Sequence, residues 1–222
     1  LEALEATLGD PDRPVLAVVG GAKISTKLHV LNNLVNKVDR LAIGGAMANT
    51  FLYALGNDIG ASLCEKDMAD TARAVMKSAD QVGCQVILPS DVVISEKLEA
   101  GTPNETVPII NVRPDTMILD IGTETALALA TCLESCKTVL WNGPLGAFEI
   151  RPFDEGTKTV ARAAAKLTAE SKLRSVAGGG DTIAALAAAN VVNDFSYIST
   201  AGGAFLEWLE GKELPGITAL YG

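Results

Sequence analysis

Val15-Leu16-Ala17-Val18-Val19-Gly20-Gly21-Ala22-Lys23-Ile24-Ser25-Thr26-Lys27 is the stretch whose reading decides the fold. An unbroken apolar run from Val15 to Val19 describes a strand buried on both faces, and burial on both faces belongs to parallel sheets covered by helices. The run stops at Gly20-Gly21, and a helical pattern follows with Leu28, Leu31, Leu34, Val35 and Val38 on one face. The expected helix runs from Ile24 to Val38, with Lys23 and Lys27 sharing one face of its first turns. Cations there oppose the helix dipole and repel each other, each effect costing roughly a few tenths of a kcal/mol. A bound phosphate reverses both signs, because a helix N-terminus preceded by glycine presents free N–H groups to anions. Two solvated lysines are the plain alternative. The position after a Gly-Gly turn at a strand's end, where ligands of open α/β sheets bind, favours the anion.

Outward from this corner the same grammar repeats. Short apolar, often β-branched runs end in glycine or a turn residue at Leu41 to Gly45, Val86 to Pro89, Met117 to Gly122, Thr138 to Gly143, Val176 to Gly180 and Tyr197 to Gly203. Helix-period segments separate most of them: Ala46 to Leu55, Glu65 to Val82, Glu124 to Ser135, Asp154 to Ser171, Thr182 to Ala189 and Ala204 to Glu210. Repeated βαβ units of this kind imply an α/β protein, a three-layer αβα fold around a mainly parallel, Rossmann-like six-stranded sheet. Alanine-rich faces such as Ala161, Ala163, Ala164 and Ala165 suit close packing on that sheet. Between Asp91 and Pro114 the helix signal lapses, and Val92-Val93-Ile94 and Val107-Pro108-Ile109-Ile110 predict a small antiparallel excursion.

Composition narrows the function. With 222 residues at 48% hydrophobic content the chain buries a substantial core, and a net charge of −9 argues against nucleic acid or an anionic membrane as partner. Any anionic ligand is held locally, by a few lysines and backbone amides. Cys64, Cys84, Cys132 and Cys136 lack the paired spacing of a zinc site, and the single His29 builds no cluster, so His29 reads as structural. Cys132 and Cys136, four apart in an apolar helix pattern, read as inert core thiols. The thiols together with the lack of a signal peptide or an apolar run near about 20 residues suggest a reducing, cytoplasmic setting. Leu1 begins inside an amphipathic helix pattern without an initiator methionine, which suggests a piece of a longer chain.

Chemistry concentrates at the strand ends. Gly20-Gly21, Gly44-Gly45, Gly178-Gly179-Gly180 and Gly202-Gly203 each follow a strand, and several helix N-termini at one sheet edge make an anion-binding crevice. Neither the G-x-x-x-x-G-K-[ST] cradle nor G-x-G-x-x-G is present. Asp181, between three glycines and Thr182, reads either as a helix N-cap or as a Mg²⁺ ligand beside phosphate. Trp141-Asn142-Gly143-Pro144-Leu145-Gly146-Ala147-Phe148-Glu149 is too elaborate for a minimal βα turn. It is either a packed loop anchored by Trp141 and Phe148 or the wall of a site for a flat apolar base, with Asn142 and Glu149 offering hydrogen bonds.

Four ordered motifs carry a resemblance over essentially the whole chain: Gly20-Gly21-Ala22-Lys23 with Lys27, the Trp141 to Glu149 loop, Gly178-Gly179-Gly180-Asp181-Thr182, and Ser199-Thr200-Ala201-Gly202-Gly203-Ala204. The chain resembles the C-terminal, nucleotide-binding half of the phosphoglycerate kinases. The resemblance implies ADP or ATP across the carboxyl ends of the strands, the base near Gly44, Gly45 and Gly122, and the ribose near Pro144 and Glu149. It also implies nucleotide contacts at Gly21, Ala22 and Ala147. By the same likeness Lys27 and Asn142 contact nucleotide phosphates, Asp181 holds Mg²⁺, and Lys23 follows the transferred phosphoryl. Amides at Gly179, Gly180, Asp181, Thr182, Gly202 and Gly203 complete the cradle, with Gly180 and Gly203 sharing Lys23's catalytic role. Ala46 and Ala201 stand where the family often has a third glycine, and each implies only a local packing change.

The resemblance implies boundaries too: residues 1–12 as the end of an interdomain helix, 13–211 as the nucleotide-binding domain, and 212–222 as a tail returning to an N-terminal half. That half would bind 3-phosphoglycerate or 1,3-bisphosphoglycerate, so this chain alone is expected to bind nucleotide without catalysing. The family is expected to be monomeric, with no nucleic-acid or membrane partner. A stand-alone, non-enzymatic nucleotide-binding module remains open, and so does a dinucleotide oxidoreductase, although the latter lacks its glycine fingerprint.

Overall fold

The computed structural model describes residues 11–199 and 202–212; the expected interdomain helix at the amino end and nearly all of the tail lie outside them. Strand β1 (Val15–Val19) is buried along its whole length, at most 1% exposed. Around it stand β2 (Arg40–Ile43), β3 (Gln85–Ile87), β7 (Thr138–Asn142), β8 (Arg174–Gly178) and β9 (Tyr197–Ser199). They form one six-stranded sheet in the order β3-β2-β1-β7-β8-β9, every neighbouring pair parallel. This is the order of a doubly wound sheet, whose winding reverses between β1 and β7.

The alternation along β1 shows how one strand feeds two cores. Val15, Ala17 and Val19 join a cluster with α1 (Leu28–Leu34), α2 (Gly45–Ala54), α3 (Ala69–Val82) and α7 (Gly202–Leu209). Leu16 and Val18 point the opposite way, into a cluster with α4 (Thr123–Glu134), α5 (Glu155–Ala169) and α6 (Gly180–Ala188). Two apolar layers separated by a sheet with no solvent-facing side are what the unbroken apolar run demanded.

Two elements differ from expectation. The apolar run ending at Gly122 does not enter the parallel sheet: β6 (Met117–Ile121) pairs antiparallel with β4 (Asp91–Ser95), which pairs antiparallel with β5 (Glu105–Pro108). Met117, Ile118 and Leu119 are half-buried, which suits a sheet with one covered face and not a strand enclosed on both. The excursion expected between Asp91 and Pro114 is thus a β4–β5 hairpin completed by β6, over a small core of Val92, Ile94 and Val112.

The first helix also starts late. Residues 22–27 form turns, Lys27 N donates to Ile24 O at 3.0 Å, and α1 opens only at Leu28. Ile24 is fully buried and plugs the core, which holds the loop in its turn instead of letting it wind on as helix. Lys23 and Lys27 therefore do not stand one turn apart on a helix face. They project from a loop at the carboxyl edge of the sheet.

Candidate functional site

The site forms where the winding reverses. The chain leaves β1 through Gly20 and β7 through Gly143, and these two glycines pass back to back, with Gly20 N donating to Asn142 O at 3.0 Å. A Cβ on Gly20 would lie 1.8 Å from the Pro144 carbonyl oxygen, and one on Gly143, whose φ is +108°, would lie 2.2 Å from Gly20 O. No side chain fits between them. The crevice beside them is bridged by polar groups: Lys27 Nζ donates to Asn142 Oδ1, and Asn142 Nδ2 donates to Gly178 O at 2.9 Å. Gly143 N donates to Thr182 Oγ1 at 2.7 Å. Asn142 thus ties the lysine loop after β1 to the end of β8.

Two adjoining cavities open along this edge. One, of about 350 Å³, is lined by Ala22, Lys23, Lys27, Asn142, Gly179, Gly180, Asp181 and Thr182, and borders α7 at Leu206. The other, of about 320 Å³, is mostly apolar, with Ala46, Leu63, Leu98, Ile118, Leu145, Ala147 and Phe148 on its walls and Glu149 among its polar edges. Gly21, Ala22, Pro144 and Asp181 line both, so the two are halves of one crevice. A larger hollow of about 610 Å³ lies by the β4–β5 hairpin and contains none of the expected site residues.

The helix ends facing this edge differ in what they can still bind. At α2, Gly45 N donates to Leu145 O at 2.8 Å and Met47 N to Gly21 O at 2.9 Å, so that end is closed by the protein's own carbonyls. At α4, the Asp91 carboxylate accepts from Glu124 N at 3.0 Å and Thr125 N at 2.7 Å, a side-chain cap supplied from β4. At α6, the N–H groups of Gly180, Asp181 and Thr182 have no acceptor among the described residues. A buried or half-buried helix end left without acceptors is what an incoming anion satisfies.

Charge points the same way. Burial pushes the Lys27 ammonium below its ordinary lysine range, and the negative charge of Asp181 only partly opposes that push. The protein therefore carries a desolvated cation whose cost falls when more negative charge arrives. Asp181 settles its two readings in one respect: Gly179 is the N-cap, and no side chain caps α6. The Asp181 carboxylate is exposed in the helix's first turn, beside the open amides, with no hydrogen bond to the described residues. Lys23 is exposed and lines the polar cavity. Its loop is pinned from below by Glu65, which accepts from Ser25 N at 3.0 Å and Ser25 Oγ at 2.5 Å. Slight burial raises the Glu65 carboxyl's pKa, but those hydrogen bonds outweigh it and hold the group below its ordinary range.

Most of the expected residues meet here: Gly21, Ala22, Lys23, Lys27, Gly45, Asn142, Pro144, Ala147, Glu149, Gly179, Gly180, Asp181 and Thr182 all line one cavity or the other. Two do not. Gly44 is buried behind Leu145, whose Cδ2 would lie 2.4 Å from an added Cβ, and Gly122 is buried beneath the Asp91 carboxylate at 2.1 Å on the same measure. Both glycines serve packing in this fold. Gly202 and Gly203 open α7, while Thr200 and Ala201 of their motif lie outside the described residues. The sequence reading missed Glu65, Asp91 and Thr157, whose Oγ1 accepts from Leu145 N at 3.0 Å, because their partners are distant in the chain. His29 is exposed on α1, away from both cavities.

Comparison with known proteins places this geometry. A family model described as phosphoglycerate kinase matches residues 1–212. The chain belongs to the phosphoglycerate kinase family. It is 60% identical over 220 residues to a phosphoglycerate kinase of Dinoroseobacter shibae, covering 99% of this chain and 56% of that relative. It is 59% identical to one of Zymomonas mobilis, covering 55% of it. Among solved structures, phosphoglycerate kinase from Coxiella burnetii superposes with a TM-score of 0.93 at 45% identity, over 99% of this chain and 56% of that one. Phosphoglycerate kinase from Pyrococcus horikoshii does so with a TM-score of 0.78 at 29% identity. The chain spans about half the length of the relatives it matches. No helix among the described residues is long and apolar enough to cross a membrane.

Proposed function

We propose that this chain binds ADP or ATP with Mg²⁺ across the carboxyl ends of its parallel strands and serves phosphoryl transfer between 1,3-bisphosphoglycerate and ADP. The observation that carries the reading is the open first turn of α6, facing the half-buried ammonium of Lys27 across one continuous crevice. The apolar half takes the base, between the Ala46 side and the Leu145 to Phe148 wall, and Pro144 and Glu149 stand where the ribose follows. The polar half takes the phosphates on the amides of Gly180, Asp181 and Thr182, with Lys27 and Asn142 opposite.

Mg²⁺ fits the Asp181 carboxylate, which makes no hydrogen bond to the described residues, because Mg²⁺ in phosphate sites needs only one or two carboxylates besides phosphate oxygens and water. When bound there it neutralises phosphate charge and lowers the barrier to transfer. The chain's own groups do the rest. Lys27, tied to Asn142, is a fixed counter-charge for the nucleotide; Lys23, exposed on its loop, is free to follow the moving phosphoryl, and the amides of Gly180 and Gly203 meet charge on its equatorial oxygens. Phosphoryl transfer asks for little more than such positioning and charge compensation. The phosphoglycerate site is proposed to lie in the length of the relatives that this chain does not span, and this chain by itself is expected to bind nucleotide without turnover.

Titration calorimetry tests the reading. Mg-ADP is expected to bind the folded chain, and Lys27→Ala is expected to weaken binding by about tenfold or more, the worth of one charged hydrogen bond. Absence of Mg-ADP binding, or a preference for NADH, overturns it; the doubly wound strand order alone suits either nucleotide.

A further inference from the structure

At the amino end of β2, across the sheet from the crevice, one guanidinium gathers two thiols. Arg40 Nη1 lies 3.3 Å from Cys132 Sγ and 3.4 Å from Cys136 Sγ, and it donates to Ser135 Oγ at 2.6 Å. Cys132 is in the last turn of α4, and Cys136 follows the helix's C-cap, Ser135, where its N–H bonds back to Leu133 O at 3.0 Å in a tight turn. One helical turn between the pair sets their Cα atoms about 6 Å apart, inside the span a disulfide bridges. The Cys136 thiol donates to Cys132 O at 3.2 Å, and the two sulfurs share one nitrogen of the Arg40 guanidinium. Cys136 is 2% exposed, whereas Cys132 is half-buried and reachable. All four cysteines are free thiols. Apolar patterning reads this pair as inert core thiols and gives no sign of the arginine, a partner 92 residues away in sequence.

We propose that Cys132 and Cys136 form a peroxide-reactive thiol pair, in which Cys132 is the attacking sulfur and Cys136 the thiol that resolves it into an intrachain disulfide. In the first step the Cys132 thiolate attacks a hydroperoxide such as hydrogen peroxide: an S–O bond forms, the O–O bond breaks, sulfur loses two electrons and hydroxide leaves. In the second, the Cys136 sulfur attacks the sulfenic sulfur: an S–S bond forms, the S–O bond breaks, and the thiol proton leaves with the hydroxyl as water. Thiolate character and access decide which cysteine reacts. The hydrogen bond from Cys136 and, after it, the Arg40 guanidinium draw the Cys132 thiol below its ordinary range, against the opposing effect of burial. The other two thiols run the opposite way: burial pushes Cys84 up to about 11 and raises Cys64 as well.

The test is peroxide titration of the folded chain with mass-spectrometric mapping. A small excess of hydrogen peroxide is expected to remove two hydrogens from the peptide carrying Cys132 and Cys136 while Cys64 and Cys84 stay reduced, and dithiothreitol is expected to restore them. In Cys136→Ser the sulfenic acid is expected to persist on Cys132 and be trapped by dimedone; in Cys132→Ser, Cys136 is expected to stay reduced at the same dose. Arg40→Met is expected to slow alkylation of Cys132 at pH 7 by roughly tenfold. Oxidation appearing first at Cys64 or Cys84, or Cys132 alkylating no faster than Cys64, overturns the proposal, and neither result depends on the arginine variant folding.

Discussion

Gly180→Ala separates what the protein needs from what its ligand needs. Gly180 is the first residue of α6, its φ lies outside the left-handed range, and a Cβ built on it meets no atom of the described residues within 4 Å. Nothing among the described residues therefore requires glycine there. Replacing glycine by alanine at a compatible position stabilises by about 0.4–1 kcal/mol through the unfolded chain, and a helix's first turn belongs at the lower end. For a chain of this length about 0.5 kcal/mol raises Tm by about 1–2 °C. Gly180 lines the polar cavity, where a phosphate oxygen must come within hydrogen-bond distance of its amide, so an added methyl is expected to take up room there. Losing one charge-assisted hydrogen bond costs about 1.5–3 kcal/mol, or roughly 10- to 150-fold in Kd. The variant is thus expected to melt slightly higher and bind Mg-ADP far more weakly, by calorimetry on the same samples. An affinity within twofold of the parent refutes the placement of phosphate on α6, and a lower Tm refutes the claim that the fold leaves this position free. Gly44→Ala is the contrasting control: its Cβ would sit 2.9 Å from Leu145 Cα as well as against the side chain, so a loss of about 1–3 kcal/mol in stability is expected.

Asp181→Asn is expected to weaken ADP binding by tenfold or more in Mg²⁺ and little in EDTA, measured by paired titrations; equal losses in both would remove the metal from its role. Burial pushes the Asp120 carboxyl up to about 8, against smaller pulls from the Gly156 and Ile121 amides. The folded state therefore keeps a proton that the unfolded chain loses near pH 4, and stability falls by as much as about 1.4 kcal/mol per pH unit between pH 4 and 8. Urea midpoints of Asp120→Asn are expected to lose that slope, and parallel slopes for variant and parent would show the group ionised when folded. Glu65→Ala releases Ser25 from two hydrogen bonds, so amide exchange over residues 22–27 is expected to quicken with a stability loss of about 1–2 kcal/mol. Unchanged exchange would show that the buried Ile24 alone holds the loop.

Strand content was legible where burial on both faces leaves an unbroken apolar run, as in β1, and the doubly wound sheet followed from repeating that reading. Local turn chemistry likewise marked the hairpin between Asp91 and Pro114. What the sequence could not show were pairings decided across the fold. Met117 to Ile121 reads as any other strand, and its half-exposed face appears only when it pairs with β4. The helix expected from Ile24 is cut short by a core plug and by a carboxylate 40 residues on. Glycine before a helix proved ambiguous in the same way, because Gly44 and Gly122 make room for Leu145 and Asp91, while Gly180 makes room for nothing among the described residues.

A protein with several positive helix ends on one rim risks being a sponge for any oxyanion. This one silences its spare ends from within, α2 with the carbonyls of Gly21 and Leu145, α4 with the carboxylate of Asp91. A polyphosphate arriving at the rim then meets the open first turn of α6 with two neighbouring ends already closed to it. Discrimination here comes as much from docking points withheld as from those supplied. Removing the Asp91 carboxylate would be expected to create a decoy berth and blur where the phosphates settle, even though Asp91 touches neither cavity.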